Sequence, residues 1–91
     1  MAAVENQTIS KARQDLAERL CVGESTITTR GAEQIDFPDA SLGAPVEDEM
    51  SAQVITPGWR ILLQAGGETY EYRATERQLR LVNFKGRNYR V

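Results

Sequence analysis

The stretch Trp59 to Ala74, WRILLQA-GG-ETYEYRA, constrains what this chain can fold into more than any other. Gly66-Gly67 separates two strand-like runs. A two-residue glycine loop suits the primed turns that close β-hairpins, because glycine accepts positive φ without a side-chain clash. A loop of that length sets the register: Ala65 opposes Glu68, Leu63 opposes Tyr70, Ile61 opposes Tyr72 and Trp59 opposes Ala74. Alternation then puts Trp59, Ile61, Leu63, Tyr70 and Tyr72 on one face, and Arg60, Leu62, Gln64, Thr69, Glu71 and Arg73 on the other. A slip of one residue would mix the two sets, so turn and hydrophobic pattern agree. Burying those large side chains contributes about 1.5–3 kcal/mol each before conformational entropy is counted. The same register opposes Arg60 and Arg73, an unfavourable pair that Glu71, diagonal to Arg60, can relieve.

The aromatic face needs a cover, and the N-terminal part of the chain supplies one. Ile9, Ala12, Leu16 and Leu20 recur at spacings of three and four, with Ala17 beside them, which predicts an amphipathic helix from about Thr8 to Cys21. Residues 1–7 are expected to be frayed. Asn6, Thr8 or Ser10 can cap the start, and Gly23 marks a stop. Lys11–Asp15 and Asp15–Arg19 are i,i+4 pairs expected on the solvent side.

Ser25 to Phe37 reads as an irregular strand. Ile27 and Thr29 alternate, Gly31 signals a bulge or turn, and Ile35 and Phe37 resume in phase. Pro38 to Gly58 holds all three prolines and two of the seven glycines and predicts a long, turn-rich loop with a short extended return near Ala52–Thr56. Thr75–Gln78 is a polar turn. Leu79–Phe84 is a further strand with Leu79 and Leu81 on one face, followed by a turn at Gly86-Arg87-Asn88 and the chain end. The fold class expected is α+β: one N-terminal helix packed on an antiparallel sheet of about four strands, with a long proline-rich loop, in a single domain over 1–91.

Ninety-one residues suffice for one core and not for two. No run has the length of a membrane helix, and the start lacks the basic and apolar blocks of a signal peptide, so a cytoplasmic chain, or a piece of a larger protein, is expected. Charge is uneven: residues 1–49 hold ten acids and four bases, and residues 50–91 hold three acids and seven bases. The plain expectation is that the two halves neutralise one another across the fold. An anionic partner is the alternative.

No motif for catalysis stands out. The chain has no histidine, which removes the commonest general base and a leading zinc ligand. Asp39, Glu47, Asp48 and Glu49 are oxygen ligands by type but lack calcium-loop spacing, so neither metal nor cofactor is expected. Cys21, alone, is expected as a buried or half-buried small residue at the helix end. Ser41 and Ser51 have no base in view. Tyr70, Tyr72 and Trp59 resemble a stacking platform for bases, but core beneath the helix is the simpler assignment.

Phe37-Pro38-Asp39-Ala40-Ser41-Leu42-Gly43-Ala44-Pro45, then Thr56-Pro57-Gly58-Trp59-Arg60-Ile61 and Tyr70-Glu71-Tyr72-Arg73, resemble a family of small uncharacterised bacterial α+β domains. Its members read W-P-D-x-S-L-G-C-P, T-P-G-Y-x-I and Y-E-Y-H or Y-E-Y-R. Leu16-Ala17-Glu18-Arg19-Leu20-Cys21-Val22 is similar to the L-A-x-R-L-G-V helix end that precedes these in the family. The resemblance runs from about Lys11 to Ala74 and implies a fold but no activity. Some relatives appear as pieces of exported or lipid-anchored proteins. Ala44 here stands where cysteine is frequent and Phe37 where tryptophan is, so a disulfide the resemblance implies for relatives cannot form in this chain.

A long loop held at both ends by strands leads to the expectation of a non-enzymatic interaction module. It would present loop 38–58 to a protein partner through Phe37, Asp39, Ser41, Leu42 and Trp59. Several peptidase inhibitors are built as small helix-and-sheet scaffolds with an extended loop, an analogy that adds inhibition to the expected roles. The alternative is nucleic-acid binding through segment 77–91, with Arg80, Lys85, Arg87, Tyr89 and Arg90. The chain is expected as a monomer or weak dimer.

Overall fold

Turn residues bound most of the strands, but Pro57 and Gly58, expected in the long loop, pair with Asp36 and Ile35 within a strand, so that loop spans residues 38–55 rather than 38–58. The computed structural model describes residues 2–47 and 49–91, with side chains from residue 7 onward. The chain runs through α1 (Ala2–Leu20), a single 3-10 turn (Glu24–Thr26), β1 (Thr28–Phe37), β2 (Thr56–Ala65), β3 (Glu68–Ala74), β4 (Leu79–Phe84) and β5 (Arg87–Arg90). The strands form one antiparallel sheet in sequence order, β1-β2-β3-β4-β5, with α1 on one face. The class is α+β with five strands rather than four. The additional strand arises because Lys85 and Gly86 both take positive φ (53° and 84°), which turns the chain one residue earlier than expected and folds Arg87–Arg90 back onto β4.

Gly66 and Gly67 (φ 58° and 82°) close the central hairpin in the expected register, with Ile61 opposite Tyr72 and Leu63 opposite Tyr70. Ala12, Leu16 and Ala17 of α1 pack on Trp59, Ile61, Leu63, Tyr72, Leu79 and Leu81, and Ile9, Leu20, Tyr70 and Tyr89 close the margin. Burial of this apolar area is the largest favourable term in the fold.

Helix α1 starts at Ala2, so residues 2–7, expected as frayed, are its first turns, in keeping with the helix propensity of Ala2, Ala3, Glu5 and Gln7; Met1 lies outside the described residues. At the other end Cys21, not Gly23, takes the left-handed conformation (φ 56°), with Val22 N–H donating to Ala17 O (3.0 Å) and Cys21 N–H to Glu18 O (3.3 Å). This is the Schellman pattern, with cysteine where glycine usually stands. It leaves Cys21 exposed rather than buried. Asp15 is not on the solvent side either. Its Oδ2 accepts from Arg19 Nε and from the Tyr72 hydroxyl, both at 2.7 Å, tying helix to sheet. Burial and this bond push the Tyr72 phenol well above the ordinary tyrosine range.

Two bulges change the phase of β1, at the edge, and of β4, next to the other edge. β1 loses register between Thr29 and Gly31, leaving Arg30 unpaired. Thr29 opposes Leu63 on the helix side, but after the bulge Ala32 and Gln34 oppose Ile61 and Trp59, so Ile35 and Phe37 fall on the outer face. The expected in-phase continuation from Ile27 to Phe37 is therefore inverted, because one extra residue exchanges the faces. In β4 a second bulge, with Asn83 at φ 53°, returns Phe84 to the helix side. There Arg19 lies over Tyr89 (4.5 Å) and Phe84 (5.8 Å).

Candidate protein-interaction site

The outer face of the sheet carries a line of charge. Glu33, Arg60, Arg73, Arg80 and Arg90 are successive cross-strand neighbours, one from each strand. Four adjacent arginines would repel, and acceptors placed among them remove the conflict. Glu71 Oε2 accepts from Arg60 Nε (3.2 Å) and Arg73 Nε (2.6 Å), the relief expected from the register, and Glu33 Oε1 accepts from Arg60 Nη1 (3.2 Å).

Arg80 Nε donates to Gln78 Oε1 (2.8 Å) in the turn before β4, and the further acceptors come from the loop. Arg73 Nη1 donates to Leu42 O (2.9 Å), and Arg80 Nη1 to Ala44 O (3.2 Å). Glu49 takes Arg80 with both carboxylate oxygens (2.5 and 2.6 Å), a bidentate pair in which Arg80 is only 3% exposed. Arg80 and a bond from the Val46 amide hold the Glu49 carboxyl at about 2, well below its ordinary value, with Arg90 nearby adding to the effect. Gln78 Nε2 donates to Ala40 O and Asn88 Nδ2 to Pro45 O, each at 2.9 Å. The acidic first half and the basic second half of the chain thus meet across this face.

The turn at 39–43 is built from the same stretch. Asp39 Oδ1 accepts from Ser41 Oγ (2.7 Å), Ser41 N (3.0 Å) and Gly43 N (3.0 Å), which lowers its pKa, the Ser41 hydroxyl contributing most. Leu42 and Gly43 both take positive φ (61° and 66°), and a Cβ on Gly43 would come within 2.9 Å of Arg73 Nη1. Leu42, Ala44 and Ser41 are buried against the sheet with Phe37, whose ring lies 5.6 Å from the Arg73 guanidinium. Gly58 is equally constrained, since a Cβ there would meet Ala74 O at 2.2 Å.

Four of the five residues singled out from sequence therefore meet in one place: Phe37, Asp39, Ser41 and Leu42 form the turn and its seat. Trp59 stands on the opposite face, in the helix-side core. It also lines an open cleft of about 630 Å³ at the end of the sheet, with Ile35, Pro57, Glu76 and Arg77.

Beyond Glu49 the loop changes character. Met50, Val54 and Ile55 are 97%, 53% and 69% exposed, and residues 50–59 contain no charged side chain. Ala40 N–H donates to Ala52 O (3.0 Å), so the exposed segment is tethered to the clamped one. Neither the Glu49–Arg80 pair nor this exposed trio was singled out from sequence. The uncharged decapeptide was the signal available for the trio.

Among the described residues no group of histidine, cysteine, aspartate or glutamate is arranged to hold a metal ion; Asp48, one of the acids considered, lies outside them. No helix among them is long and apolar enough to cross a membrane.

Fold and site together define a small α+β domain, one helix on a five-stranded antiparallel sheet whose other face is roofed by a clamped loop. The chain belongs to the family described as a domain of unknown function (DUF8738), whose model matches residues 9–82, from within α1 to within β4. No curated protein and no solved structure matches the chain.

Proposed function

We propose that this chain is a non-enzymatic interaction module that offers part of loop 38–55 to a protein partner. The observation that carries the proposal is the exposure of Met50, Val54 and Ile55 on a segment fixed at both ends, by Glu49 on Arg80 and by Thr56 at the start of β2. An apolar segment already held by its flanks loses less conformational entropy on binding than a free one. On this proposal Phe37, Asp39, Ser41 and Leu42 position the loop, and residues 50–55 make the contact. The nucleic-acid alternative has less support, because Arg80, one of its bases, is spent on Glu49.

The test uses the immobilised domain and a Val54→Asp/Ile55→Asp variant. Both positions are exposed, so the variant should keep its circular dichroism spectrum. The proposal expects a partner captured by the wild type, or a peptidase inhibited by it, to be lost with the variant. Identical capture and inhibition by the two proteins would remove residues 50–55 from any such role.

A further inference from the structure

Strand β1 is the least covered element of the sheet, and it lies at an edge. Every side chain from Ala32 to Asp36 is exposed, on the helix side (Ala32, Gln34) as well as the loop side (Glu33, Ile35). The helix reaches β1 only near its start, where Arg13 donates to Thr29 Oγ1 (3.2 Å). An edge strand presents unpaired amides and carbonyls to any second strand. Natural edges are usually blunted by charged side chains, lysine above all, by proline, a bulge or brevity; the charges on Gly31–Phe37 are Glu33, which pairs with Arg60 of its own chain, and Asp36. Here the bulge is confined to Arg30, and the seven residues Gly31–Phe37 pair regularly with β2, longer than an average strand of about five or six residues.

We propose that two copies of the chain pair antiparallel through β1, centred on Gln34, into a continuous ten-stranded sheet. The register follows from symmetry. A two-fold axis normal to the sheet keeps each side chain on its own face, and paired residues share a face, so the axis must pass through a residue opposed to itself. Centring on Glu33 would set two carboxylates face to face. Centring on Ile35 would bring Ala32 against Pro38, which has no amide to donate. Centring on Gln34 uses all of Gly31–Phe37, opposes Gly31 to Phe37, Ala32 to Asp36 and Glu33 to Ile35, and opposes no two like charges. Both helices then lie on one side of the joined sheet and both loops on the other. This surface is separate from residues 50–55 and does not depend on their role.

Sedimentation equilibrium over a range of concentrations, combined with oxidative cross-linking, tests the pairing. Cys21, being exposed, is first replaced (Cys21→Ser). In that background Gln34→Cys should link to its own copy across the axis. Ala32→Cys should not, because the two positions 32 would be four residues apart along the strands, about 13 Å. A mass that doubles with concentration, with a disulfide at Gln34 and none at Ala32, is the expected result. A chain that stays monomeric at every concentration with no link at Gln34 overturns the proposal, as does a dimer that leaves Gln34→Cys unlinked or links Ala32→Cys equally well.

Discussion

From the helix side the sheet offers Ile61, Leu63, Tyr72 and Leu81, all fully buried, with one hydroxyl among them. From the loop side it offers Arg60, Arg73 and Arg80, each matched to a named oxygen. The first face is held by area removed from water, which is non-directional and tolerates small shifts. The second is held by directed, charge-assisted bonds, so losing one acceptor strands a cation. A sheet with one dry face can in this way anchor a loop on the other without a second apolar core of comparable size.

The largest expected effect belongs to the dry face. Leu16→Ala should cost about 2–5 kcal/mol, read from the midpoint of urea denaturation with an unchanged slope. Next comes Glu49→Gln, which leaves Arg80 buried with a weakened partner and should cost about 1.5–3 kcal/mol. Adding Arg80→Met should recover part of that loss, because an apolar replacement leaves no cation unpaired. If the double variant is as unstable as the sum of its parts, the two side chains do not act as a pair.

Acid should weaken the loop face. The Glu49 carboxyl is held at about 2, below its ordinary 4.5, so the folded state binds its proton less readily than the unfolded state. The stabilisation is complete above about pH 4.5 and is lost as pH falls toward 2. Asp39 shifts in the same direction. Glu49→Gln should flatten this part of the stability profile, and Leu16→Ala should leave its shape unchanged. The smallest effect is at the helix end. Cys21→Gly relieves a left-handed backbone at an exposed site and should raise stability by about 1 kcal/mol, read as a higher Tm.

The dry face was legible in the sequence because two glycines and a period of two determine it together; Trp59, Ile61, Leu63, Tyr70 and Tyr72 all lie where alternation puts them. The phase of Phe37 was not, because a bulge at Arg30 exchanges faces without changing composition. The arginine line could be seen only as far as Arg60 and Arg73. Arg80 and Arg90 join it through the registers of β4 and β5, and the fifth strand itself depends on Lys85 accepting positive φ. The turn residues Asp39 to Gly43 were conspicuous, but their side chains and amides satisfy one another, so prominence in the sequence reflected construction of the loop.

Residue-resolved amide hydrogen exchange tests most directly whether the loop is clamped to the sheet in one half and exposed to solvent in the other. The amides of Ser41, Leu42, Gly43 and Ala44, all hydrogen-bonded, should exchange slowly, and those of Gln53 and Ile55 quickly. In Glu49→Gln the first group should lose protection while Ile61 and Tyr72 keep theirs. Uniform exchange from Ala40 to Ile55, or a loss of protection that spreads equally to the helix-side strands, would contradict the division of the sheet into two independently held faces.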